Sequence, residues 1–446
     1  MIDAPKSDKF IGMEYYATDS PGCGGQLRQN TKDFLVRELY EEKDYEGGRF
    51  LVVEVEKENW DNHHLVRDLS RQLKISQRRI SWAGTKDKNA ITTQRMCIMN
   101  LDEAELERVT LPRVKIKVLG RTNKGVSLGD LLGNEFQIRI KNLAVDRNEA
   151  ARCVEAITKE IHDQMGLPNY FGVQRFGDTR PVTHQVGEFL VKGDIKKAVL
   201  TYLALPFPGE PESIKAARSS LWEEGDLAKA LKEYPTRLRY ERAILNHLIE
   251  KDGDYAHAFD GLSANLKKLF VHAYQSYIFN KILSNRMTLG LPLDKAVLGD
   301  VVCFTSKVKG KEGLPDTSRI QAADDDASLK AVNRLMSRQR AHLTLPLFGY
   351  ESKFSEGLPG RIEREVLGDE DVRFEDFRVA QNPDLGSPGL RRPALLRVEP
   401  KWEIEDEVEG GNESNDGNEG GESVLIQFSL PPGSYATVVL REYMKT

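Results

Sequence analysis

Cysteine is scarce in this chain. There are four among 446 residues (Cys23, Cys97, Cys153, Cys303), far apart, with no CxxC pair. Neither a disulfide scaffold nor a cysteine zinc site is expected on that ground. Long apolar runs are also missing. No stretch approaches the ~18 consecutive apolar residues that a membrane-spanning helix needs, and Met1–Gly22 is polar, without the apolar centre of a secretory signal. No membrane association is expected, and the expected compartment is the cytoplasm. The familiar cofactor motifs are absent too: no GxxxxGKS/T, no GxSxG, no HExxH, and no HxE followed by PCxxC. Gly22–Gly25 reads GCGG, which is a turn rather than a dinucleotide loop. No repeat of fixed period is visible. What remains is chemistry without cofactor or metal, carried by a carboxylate, a hydroxyl or a lysine.

The length favours two domains, and 39% hydrophobic with 30% charged residues is a globular composition. The net charge of −5 conceals an asymmetry. Residues 403–422 hold nine acidic side chains and no basic one, so the rest of the chain is at +4. Residues 64–95 set eight Arg and Lys against Asp68 and Asp87, a local +6. Such a basic stretch fits a polyanionic partner; a solvated charged face fits it as well.

Alternation of apolar and polar residues predicts strands over 33–40 and 49–57, with Tyr45–Gly48 turning them into a hairpin. A helix capped by Asn62 follows, with Leu65, Val66, Leu69 and Leu73 on one side and Arg67, Arg71 and Lys74 on the other. Strands are expected at 79–82, 92–99, 114–119 and 135–140, and helices at 103–109 and 147–164. From 210 to 290 the pattern is helical. Residues 405–423 are rich in Gly, Glu and Asn and too poor in apolar residues to order themselves. Val424–Leu430 and Ala436–Arg441 read as a last pair of strands. A pair of strands is marginal alone, so this one should join the N-terminal sheet and make the middle of the chain an insertion.

Two clusters carry chemistry. In Ala83-Gly-Thr-Lys-Asp-Lys-Asn-Ala90, Asp87 stands between Lys86 and Lys88, and flanking cations favour an ionised carboxylate able to act as nucleophile or base. The same residues also suit a plain turn. In Asn169-Tyr-Phe-Gly-Val-Gln-Arg-Phe-Gly177, aromatic faces could stack bases, amides could read base edges and Arg could bind phosphate, or the run could be a buried aromatic corner.

Ala83–Gln94 resembles the AGxKDxxAxTxQ signature of the TruD family of pseudouridine synthases. Further blocks agree in order: Asp33–Glu38 resembles DFxVxE, Leu128–Phe136 resembles LGxLxGNxF, Asn169–Gly177 resembles NYFGxQRFG, and Leu430–Thr437 with Arg441-Glu442 resembles LPxGSxAT…RE. Tyr274–Asn280 resembles a helix near the start of the family's inserted domain. The resemblance implies an α+β fold, with a mixed, mainly antiparallel pseudouridine-synthase sheet domain interrupted by an inserted α/β TRUD domain. Residues 1–177 and 393–446 would form the catalytic domain, 178–392 the insertion, and 405–423 a disordered acidic loop.

The resemblance further implies that uridine is isomerised to pseudouridine in tRNA, at position 13, without cofactor or metal. tRNA is then the partner, and no obligate protein partner is evident. The catalytic aspartate falls on Asp87. Arg28, Phe34, Lys86, Asn169 and Phe171 fall at substrate-binding positions, with Arg28 or Lys86 keeping Asp87 ionised. Arg67, Arg71 and Lys74 would track the RNA backbone. Two alternatives stay open: an RNA-binding protein without catalysis, and a glycosidase-like hydrolase, which would need a second carboxylate facing Asp87.

Overall fold

The computed structural model describes residues 1–41, 45, 47–307, 313–406 and 422–446. By its internal contacts the chain divides into two compact units. One consists of Ala17–Leu167, Thr305–Leu314 and Leu396–Thr446. The other consists of Met1–Tyr16, Pro168–Phe304 and Pro315–Leu395. This division differs from the expected boundaries at 177 and 392. The N-terminal segment belongs with the middle of the chain, where Asn280 Nδ2 donates to the Ile11 carbonyl and Ser284 Oγ to that of Gly12. The aromatic run from Asn169 falls in this second unit as well.

The first unit is built on an eight-stranded sheet. Its strands, numbered within the unit, are β1 (Phe34–Leu39), β2 (Phe50–Glu58), β3 (Ile80–Trp82), β4 (Ile91–Met99), β5 (Val114–Thr122), β6 (Gly133–Ile140), β7 (Lys401–Asp406) and β8 (Glu422–Leu430). The order is β7-β8-β6-β1-β4-β2-β5, with β3 paired to β4. Only β1 and β4 run parallel, with Leu35 opposite Ile91. The expected β1–β2 hairpin is not formed, because β4 lies between them and pairs with both. Period-two alternation gives each face a core. Phe34, Val36, Phe136, Ile138 and Ile426 pack against the helices Arg147–Asp163 and Ala436–Met444. Leu51, Val53, Val55 and Met96 pack against the helix Asn62–Gln72. The cap of that last helix is Asp61, which accepts from the His63 and His64 amides; the Asn62 side chain is buried and donates instead to Gln94.

Strand β8 joins the sheet through β6, with Ile426 opposite Ile138. Its expected partner, Ala436–Arg441, is a helix. Ala436, Val439, Leu440 and Tyr443 recur at helical spacing and are buried in the core, and that burial overrides the β-propensity of Thr and Val. The ends of the acidic stretch are ordered too. Glu405 and Asp406 close β7, Glu422 opens β8, and Arg139 grips Glu405 at 2.6 Å. Residues 407–421, the remainder of the expected loop, lie outside the described residues.

The second unit is mainly helical and carries a four-stranded sheet in the order Leu390–Pro393, Ala341–Leu347, Val301–Thr305, Pro315–Ala322. Its longest helix is Ala264–Thr288. Gly187, on the helix Thr183–Val191, lets the two helices approach: a Cβ there would lie 2.0 Å from the Phe270 carbonyl oxygen. Among the described residues, no helix is long and apolar enough to cross a membrane.

Candidate active site

Asp87 lies in the loop between β3 and β4. Topology brings its neighbours to it. Because β1 and β4 are parallel neighbours, the segments entering them meet at one edge of the sheet: Arg28–Asp33 before β1 and Ala83–Ala90 before β4. Antiparallel β2 ends at the same edge, with Lys57 opposite Thr92 and Glu58 opposite Ile91. A hydrogen bond from Thr31 Oγ1 to Glu58 (2.6 Å) ties two of these segments together.

At this edge Arg28 Nη2 donates to Asp87 Oδ1 at 3.2 Å, and the Asp87 side chain keeps 38% of its surface exposed. The Arg28 guanidinium lies 4.4 Å above the Phe34 ring. Phe34 itself is buried and meets Phe136 edge to face, so it is a platform under Arg28 rather than a surface for substrate. Arg28 holds a left-handed backbone, φ +60°. That conformation costs a non-glycine residue roughly 1–2 kcal/mol, the kind of local strain that collects at functional sites.

Lys86 departs from expectation. Its Nζ lies 2.7 Å from Glu38 Oε2, and both side chains are essentially fully buried. Lys86 therefore anchors the loop to β1, and Arg28 is the cation on the Asp87 carboxylate. Sequence reading missed a second anchor. Lys57 is fully buried and donates to the carbonyls of Trp60 (2.6 Å) and Asp87 (3.1 Å). Its signal was present, since Lys57 continues the inward face of Val53 and Val55 on β2. Arg28, Lys57 and Lys86 bear on Asp87 or its loop, an environment of cations rather than the facing carboxylate a glycosidase would need.

The expected basic stripe is not of one sign. Arg67 Nε lies 2.8 Å from Asp68, Arg71 lies 3.7 Å from the same carboxylate, and Lys74 is past the helix end with φ +53°.

Asn169 and Phe171 lie in the second unit. Asn169 Oδ1 accepts from Arg392 Nη2 at 2.7 Å, and its Nδ2 donates to the Pro393 carbonyl at 2.9 Å. The Arg392 guanidinium covers the Phe171 ring at 4.0 Å, and Phe279 meets that ring edge to face. Phe171 is only 6% exposed, so any stacking partner meets Arg392 first. Nothing in the run around Arg392 marked it in the sequence.

The comparisons with known proteins agree over nearly the full length. The family model described as tRNA pseudouridine synthase D (TruD) matches residues 10–443. A Methanococcoides burtonii protein named "Probable tRNA pseudouridine synthase D" is 47% identical over all of this chain and 98% of its own length. A relative of the same name from Archaeoglobus fulgidus is 37% identical, covering 98% of this chain and 99% of its own. A crystal structure described as "Putative tRNA pseudouridine synthase D (TruD)" from Methanosarcina mazei superposes with a TM-score of 0.85 at 46% identity, covering 100% of this chain and 99% of that one. On these grounds the chain belongs to the TruD family of tRNA pseudouridine synthases.

Proposed function

We propose that this protein isomerises uridine to pseudouridine in tRNA, at position 13, in the cytoplasm, with Asp87 as the catalytic carboxylate. What carries the reading is the way Asp87 is held: partly exposed, its oxygen bonded by Arg28 and its main chain tied to Lys57. The reaction is balanced within the nucleotide. The C1′–N1 bond breaks, the uracil turns, C5 bonds to C1′, the C5 proton leaves and N1 takes one up. Nothing is oxidised overall, so no redox cofactor is needed. A stacked uridine cannot reach Asp87 and must be flipped out, at a cost of a few kcal/mol. Asp87 then reacts at the sugar–base junction, as nucleophile or as base. Asn169 and Phe171, with Arg392 over the ring, contact the RNA, and Arg67, Arg71 and Lys74 follow its phosphates.

The test is Asp87→Asn, which removes charge and basicity at nearly constant shape. Release of tritium from C5 of uridine in tRNA should fall below detection while tRNA affinity at fixed salt stays within about twofold. Turnover near the wild-type rate refutes the assignment of Asp87. A wild-type protein that binds tRNA but releases no label would instead be a binding protein.

A further inference from the structure

We propose that Lys57 is a positioning residue for the reaction: it fixes the main chain of Asp87 and sets a buried positive charge behind the carboxylate. The proposal rests on Asp87 being the catalytic group.

Lysine is almost never fully buried unless paired, yet Lys57 is fully buried and forms no ion pair by contact among the described residues. Its ammonium instead bonds two main-chain carbonyls, those of Trp60 and Asp87. The fold does not call for a charge at this place. Val53 and Val55, which precede Lys57 on the same face of β2, pack into an apolar core, and a methionine would continue it. What the ammonium adds lies at its tip, at the loop. Asp87 is thereby held at two points, its backbone by Lys57 and its carboxylate by Arg28. Fixing both ends of a reacting side chain limits the misplacement that costs rate.

The charged groups facing the ammonium are Asp61 from the start of the following helix, and Asp87 and Lys86 from the loop. Burial outweighs the two carboxylates and brings Lys57 from 10.5 down to about 8, with Lys86 acting in the same direction. The ammonium is therefore mostly charged at neutral pH, and the charge is lost as pH rises through about 8.

Lys57→Met keeps the length and the apolar stem and removes the ammonium. Steady-state tritium release from tRNA should show kcat reduced at least tenfold. KM and the tRNA Kd should stay within twofold, because a buried side chain touches no RNA. The wild-type kcat should decline through about pH 8, and this limb should be absent in Lys57→Met. A melting curve and near-ultraviolet circular dichroism check the fold. If Lys57→Met does not fold, Lys57→Gln replaces it; it keeps a neutral donor for the carbonyl, and a smaller loss of kcat without the alkaline limb is then expected. A kcat within twofold of wild type in the variant that folds, or an alkaline limb unchanged by it, overturns the proposal. Asp87→Asn is assayed alongside. An inactive Asp87→Asn beside a fully active Lys57→Met refutes the role of Lys57 alone, whereas an active Asp87→Asn refutes the reading on which that role rests.

Discussion

Replacing Lys86 with methionine decides whether the lysine beside Asp87 serves the substrate or the fold. The Lys86–Glu38 pair is 2.7 Å long, and its side chains are 4% and 0% exposed. Among the described residues, the other oxygen of Glu38 accepts only a long bond from the Arg95 amide, 3.4 Å. Lys86→Met would strand a buried carboxylate, and breaking a buried pair from one side costs roughly 3–5 kcal/mol. Removing both charges is a different perturbation. An apolar pair of similar volume is often neutral or stabilising, so Glu38→Met with Lys86→Met should regain most of the loss. Glu38→Met alone strands the buried lysine in turn, so the double-mutant cycle should return a coupling close to the sum of the two single losses. Tryptophan fluorescence can follow the right part of the chain. Trp60, Trp82 and Trp402 lie in the unit with Asp87 and Trp222 lies in the other, so a Trp222→Phe background confines the urea signal to the unit that matters. Stability and activity should fall together in Lys86→Met and recover together in the double variant. If Lys86→Met unfolds at the wild-type urea concentration and yet has lost activity, Lys86 acts on the substrate and the anchoring argument fails.

Other expectations follow from the same geometry. Arg28→Lys keeps the charge but loses the fork and the cover over Phe34. It should lower kcat severalfold and shift stability by under about 1 kcal/mol, since the pair with Asp87 is partly exposed; a large drop in melting temperature would contradict this. Arg392→Lys should also fail to substitute, with kcat/KM down about tenfold, because a lysine cannot both lie flat on Phe171 and bond Asn169; full activity would show that the reaction does not use Arg392. Arg67→Glu with Arg71→Glu should weaken tRNA binding and flatten its salt dependence, by less than two free arginines would because both already face Asp68; unchanged affinity and slope would make them a solvated face. His184 is buried against Tyr277, and burial lowers it to about 3 from 6.5. The unfolded chain therefore protonates first, and the stability present above pH 6.5 is lost on descending toward 3. Melting temperatures of wild type and His184→Phe should diverge as pH falls from 6.5 to 4, and parallel curves would refute it.

Most strands were legible because alternation is a local signal. Pairing was not. The glycines near 47 and 48 argued for a hairpin, whereas the sheet threads β4 between β1 and β2. That single error concealed the site's construction. Arg28 and Asp87 meet because β1 and β4 are parallel neighbours, and the local pattern of neither segment encodes that pairing. The helix at Ala436–Met444 was misread for the opposite reason. Its Thr-Val-Val start favours a strand locally, and only burial of one helical face in the shared core decides otherwise. Asp87 itself is singled out by its signature loop. Lys57, Glu38 and Arg392 act on it or on Asn169 across 30 to 223 positions of sequence or through buried pairs, and such contacts leave little mark on a short window.

The run Lys86-Asp87-Lys88 shows why adjacency misled. Reading the lysines as the aspartate's counter-ions assumes that neighbours in sequence share an environment. Adjacent residues of a loop can face different partners, and here they do so to a purpose. Lys86 turns inward to Glu38, Asp87 outward to Arg28, and Lys88 is exposed. The loop thus separates its two tasks by alternate positions. One residue carries the buried pair that holds the loop on the sheet, and the next carries the accessible carboxylate. The cations that matter to Asp87 arrive from elsewhere, Arg28 from before β1 and Lys57 from the end of β2. A substitution at 86 should therefore act through the fold, and one at 87 through the chemistry, although the two residues are joined by a single peptide bond.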